Sequence, residues 1–91
     1  MPKAEISWKR VTPEGEKLQV YAQRVSKRWL FFTRHRRYDR WQSLPAPPME
    51  DWMELLDSVT RRVARRLLQP EEIGRVQQAI REQYPDATFS P

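Results

Sequence analysis

Cysteine is absent from this 91-residue chain, and glycine (two) and histidine (one) are nearly so. Each shortage closes a class of function. Without cysteine there is no disulfide scaffold, no thiolate zinc site, no thiol nucleophile and no CxxC redox pair. Gly15 and Gly74 stand too far apart to build a GxGxxG or GxxxxGK[ST] phosphate loop. No apolar run approaches the roughly 18 residues of a membrane span. The amino terminus, Met1-Pro2-Lys3-Ala4-Glu5-Ile6-Ser7-Trp8, lacks the apolar core of a secretion signal, so a cytoplasmic protein is expected.

Charge and aromatics are plentiful. Lys and Arg number 17 against 12 Asp and Glu, giving a net charge of +5 and a pI near 10.1. The excess is uneven. Residues 1–48 carry 11 basic and 4 acidic side chains, a balance of +7, whereas residues 49–91 carry 6 and 8, a balance of −2. Seven of the ten aromatics, four of them Trp in all, lie in the same basic half. Leu, Ile, Val and Phe total only 19, a composition near the disordered range. The aromatics weigh toward a folded chain, because each removes a large apolar area from water. One domain spanning 1–91 is the expectation at this length.

The pattern changes at Leu44-Pro45-Ala46-Pro47-Pro48, where prolines interrupt helix and sheet alike. Before it the period is mostly two. Ile6 and Trp8 alternate with polar residues over 5–11; Leu18, Val20 and Ala22 do the same beyond the turn at Thr12-Pro13-Glu14-Gly15-Glu16. Ser26-Lys27-Arg28 reads as a second turn without a glycine. Trp29-Leu30-Phe31-Phe32-Thr33 reads as a central strand with both faces at least partly covered. Residues 38–44 offer a short fourth strand anchored by Trp41.

After the prolines the period is helical. A helix over 49–68 would align Trp52, Leu56, Val59, Val63 and Leu67. Its acids Glu50, Asp51, Glu54 and Asp57 precede its bases Arg61, Arg62, Arg65 and Arg66, an order that suits the helix dipole. Pro70 separates a second helix, which Ile73, Val76, Ile80 and Tyr84 mark and Pro85 ends, leaving 85–91 as a tail. Strands followed by helices read as α+β. The expected architecture has two layers: an antiparallel three- or four-stranded meander over 5–44, a Pro-rich crossover at 45–48, and two helices over 49–84 packed on one sheet face. The expected core is Ile6, Trp8, Leu18, Val20, one of Leu30, Phe31 and Phe32, then Trp52, Leu56, Val59, Val63, Leu67, Ile73, Val76 and Ile80.

Catalysis finds little support. His35 is the one imidazole, set among Arg34, Arg36 and Arg37, with no serine beside it in sequence. A lone His matches no zinc spacing, and Glu50, Glu54 and Asp57 have an ordinary explanation in the helix dipole. The expectation is therefore a non-enzymatic chain with no metal and no small-molecule cofactor. Binding is better founded. Arg24, Lys27, Arg28, Arg34, Arg36, Arg37 and Arg40 gather around the second turn and the end of the third strand. Tyr21, Phe31, Phe32, Tyr38 and Trp41 are interleaved with them. An open aromatic on a basic sheet stacks single-stranded bases, so the seven cations with Tyr21 and Tyr38 form the candidate nucleic-acid site. The spacing matches neither an RRM signature nor a KH loop. A helix-turn-helix reading fails on Glu71 and Glu72, which would face phosphate. The four helix arginines suit a solvated face as well as a partner, and PxxP at Pro45-Ala46-Pro47-Pro48 suits a linker better than an SH3 ligand. The competing expectation is a protein-interaction or self-association module, with no membrane partner.

Overall fold

The computed structural model describes residues 5–89. Four antiparallel strands precede two helices, an α+β chain. It divides into two compact units, one ending at Pro45 and the other beginning at Ala46.

The first unit is a meander of β1 (Glu5–Val11), β2 (Lys17–Val25), β3 (Arg28–Arg34) and β4 (Gln42–Ser43), in the spatial order β1-β2-β3-β4. Trp8 lies opposite Val20 and Val20 opposite Thr33; Ile6 lies opposite Ala22 and Ala22 opposite Phe31. With a side-chain period of two, this register gathers Ile6, Leu18, Val20, Ala22, Trp29 and Phe31 on one face, all buried. Trp8 is half-buried there, edge-on to Phe31 at 6.1 Å and 76°.

Both hairpins turn through the left-handed region. The first loop closes through Thr12 N–H to Glu16 O (2.8 Å) and Gly15 N–H to Thr12 O (2.9 Å), with Gly15 at φ 85°. That is a three-residue loop whose last position needs glycine. The second loop is only Ser26-Lys27, between the paired Val25 and Arg28. Ser26 takes φ 59°, the position glycine fills in a type II′ hairpin.

The fourth strand is shorter than expected over 38–44. Asp39 N–H donates to Arg36 O (2.9 Å) and Arg36 N–H to Asp39 Oδ2 (3.1 Å). These bonds commit 36–39 to a turn, so pairing with β3 begins only at Gln42 opposite Thr33. Trp41 precedes the strand rather than anchoring it.

The second unit comprises α1 (Met49–Ala64) and α2 (Glu71–Gln83). The predicted end of α1 at residue 68 is four residues too far. Arg66 adopts φ 61°, Arg66 N–H donates to Val63 O (2.9 Å), and Leu67 N–H donates to Arg62 O (2.8 Å). This is the paired bonding of a Schellman cap, with arginine where glycine usually stands. Leu67 is consequently 63% exposed, not core. The buried stripe of α1 is Trp52, Leu55 and Val59 with Asp51 and Ser58. Leu56 and Val63, expected inside, are half-buried. On α2, Val76 and Ile80 are fully buried and Ile73 half-buried.

A small polar clamp ties the two ends of this unit. Trp52 Nε1–H donates to Gln83 Oε1 (2.9 Å), and Gln83 Nε2–H donates to the carbonyl of buried Pro47 (2.7 Å). Tyr84 Oη–H reaches the same carbonyl at 3.4 Å. Pro47 is thus held inside its unit rather than displayed. Beyond α2, the Arg81 guanidinium lies over the Phe89 ring at 4.9 Å.

Candidate nucleic-acid interface

The face of β2 and β3 opposite the buried one carries aromatics. Tyr21 lies directly across from Phe32, and their rings stand 5.4 Å apart, tilted by 33°. Trp41, arriving from the β3–β4 connection, packs on Tyr21 at 5.2 Å. The three rings form one patch, with Tyr21 and Phe32 half-buried and Trp41 38% exposed. Leu30, two residues before Phe32 on the same face, is 39% exposed and continues the apolar surface.

One cation is built into this patch. The Arg34 guanidinium lies over the Trp41 ring, 4.2 Å from its centroid. Its Nε–H donates to Gln19 Oε1 at 2.6 Å, and Gln19 is its cross-strand partner. Stacking and this bond together fix the guanidinium plane. Tyr21 is also tuned: burial, then the Glu5 carboxylate through its charge and a hydrogen bond, raises the phenol above its ordinary 10.0. The phenol is therefore the donor in that bond.

The remaining predicted site residues are scattered around this patch. Arg28 shares the strand face of Phe32 and Arg34 but starts β3 while Arg34 ends it, about 20 Å away at the usual strand rise. Lys27 is in the hairpin turn beside Arg28. Arg24 points to the opposite face, in register with Trp29, and is half-buried. Arg36, Arg37, Tyr38 and Arg40 are exposed in the β3–β4 connection, Tyr38 at 95%. The structure thus brings Tyr21 and Arg34 together, leaves Arg36, Arg37, Tyr38 and Arg40 on the adjoining loop, and separates Arg24, Lys27 and Arg28 from them. Gln19, Phe32 and Trp41 complete the patch and lay outside the predicted site.

A cleft of about 350 Å³ opens on the loop side of the patch, lined by Thr33, Arg34, His35, Asp39, Arg40 and Gln42. His35 Nε2 lies 3.2 Å from Glu16 Oε2.

The other candidates fare as follows. Arg61 pairs with Asp57 at 3.1 Å, the i,i+4 contact expected of the helix. Glu72 is buried and bonded to Arg75, while Glu71 is exposed at the start of α2. No described helix is long and apolar enough to cross a membrane. Comparison with protein-family models, curated proteins and solved structures returns no match for this chain.

Proposed function

We propose that this chain is a non-enzymatic binding module for single-stranded nucleic acid, DNA or RNA. The observation that carries the reading is the Tyr21–Phe32–Trp41 patch with Arg34 stacked on Trp41. Bases have π faces that aromatic rings and guanidinium planes stack on without regard to sequence. Phosphates need cations within reach, and Arg34, Arg36, Arg37 and Arg40 lie in or next to the patch. A duplex hides its base faces, so the geometry favours single strands.

Intrinsic tryptophan fluorescence tests the reading. Titration with a single-stranded oligonucleotide at low salt is expected to quench Trp41 emission. Trp41→Ala is expected to weaken binding about tenfold, the loss of one stacked base. Absence of any binding at low salt overturns the proposal, as does equal affinity for duplex.

A second reading has its own observation. β1 is an edge strand of seven residues without proline, and such edges pair with other chains. Light scattering discriminates: a concentration-dependent dimer supports sheet extension, and a monomer at every concentration counts against it.

A further inference from the structure

The cleft beside the aromatic patch has a chemistry of its own. It lies between the end of β3 and the returning residues 39–42. The Arg36–Asp39 turn folds the chain back, and Arg34 and Arg40 both line the cleft. Two of its lining residues are arginines, whose guanidiniums carry donors only. Thr33 and Gln42 add a hydroxyl and a carboxamide.

The opposing charge is partly engaged. Asp39 Oδ2 accepts the Arg36 N–H, and His35 faces Glu16. The Arg34 Nε is taken by Gln19, which leaves its two Nη groups for a ligand; no other hydrogen-bond or ion-pair partner is found for them among the described residues. A planar, pre-oriented guanidinium edge suits the bidentate capture of phosphate oxygens. A volume of about 350 Å³ sits near the low end for small-ligand sites. It takes one phosphate-bearing group, not a length of strand.

Arg34 belongs to both features. A base stacked on the patch and a phosphate on the Arg34 Nη groups would be adjacent, as they are within one nucleotide. A terminal phosphomonoester carries about −1.5 to −2 charge, more than the single charge of an internal diester. On these grounds, and resting on the nucleic-acid reading above, we infer that the cleft binds the terminal phosphate of the strand whose bases stack on Tyr21, Phe32 and Trp41.

Three versions of one short oligonucleotide test this: 5′-phosphorylated, 3′-phosphorylated and with both ends hydroxyl, each titrated at moderate salt. One phosphorylated form is expected to bind about tenfold tighter than the hydroxyl form. Arg40→Gln is expected to abolish that gain, so that phosphorylated and hydroxyl strands bind the variant with equal affinity. Asp39→Asn, which removes the negative charge, is expected to enlarge the gain. Equal affinities for all three strands overturn the terminal-phosphate inference yet leave the nucleic-acid reading standing. Failure of every strand to bind overturns both. A nucleoside monophosphate that binds as tightly as the phosphorylated strand also overturns the inference, because the site then belongs to a free nucleotide.

Discussion

At the scale of single residues, two non-glycine positions hold left-handed backbone. Ser26 closes the β2–β3 hairpin at φ 59° and Arg66 caps α1 at φ 61°. A Cβ costs about 1–2 kcal/mol in that region, offset partly by the flexibility glycine adds to the unfolded chain. Arg66→Gly is therefore expected to stabilise the chain by about 0.5–1 kcal/mol, measured by chemical denaturation. A destabilised variant would mean that the arginine side chain itself holds the cap. Tyr21 offers a second residue-level prediction. Burial and the Glu5 carboxylate raise its phenol above 10.0. A raised value means that the folded state holds the proton more tightly than the unfolded chain. The associated stability is complete below pH 10.0 and is lost as pH rises through the higher folded value. Ultraviolet titration should show a tyrosine ionising above pH 10, and Glu5→Gln should bring it back toward 10.0.

At the scale of elements, α1 shows what periodicity defines and what it leaves open. Trp52 and Val59 are common to both stripes that the sequence allows. Only packing chooses between the neighbours Leu55 and Leu56, and it buries Leu55 fully while Leu56 stays half-buried. Leu55→Ala is expected to cost about 2–5 kcal/mol and Leu56→Ala clearly less, both read from denaturant midpoints at constant slope. Equal costs would restore the stripe drawn from sequence. The helix end was illegible for a related reason. A glycine would have marked it, but Arg66 fills that position, so the apolar pattern runs on to Leu67 and Leu68 past the true stop. The fourth strand was overextended because Asp39, through its bonds to the Arg36 backbone, diverts four residues into a turn.

At the scale of the whole molecule, the net charge of +5 is the sum of two unlike halves. The basic half contains the aromatic patch, and the cations of the predicted site are divided between the two ends of β3. On the proposed reading, a strand lying on the patch would meet the group at the loop end: Arg34, Arg36, Arg37 and Arg40. If about three to four phosphates are neutralised there, the log of affinity should fall against the log of salt with a slope of about −2 to −3. A slope near zero would remove phosphate contact from the binding mode. Arg24→Gln, on the opposite strand face, should leave that slope unchanged.

The amino-acid sequence determined the element order, the α+β class, the division at the prolines and the placement of charge with aromatics in one half. These are local properties: alternation of period two or 3.6, turn chemistry, and simple counting. Tertiary structure alone decided the aromatic patch. Tyr21 meets Phe32 because of the β2–β3 register, and Trp41 reaches Tyr21 because a turn folds residues 36–39 back toward the sheet. Arg24 and Arg34 look equivalent in a list of basic residues, yet the pleat sends them to opposite faces. Strand parity is written in the chain. Which side chains become neighbours across strands depends on hydrogen-bonded pairing between residues far apart in sequence, and that exists only in the folded sheet.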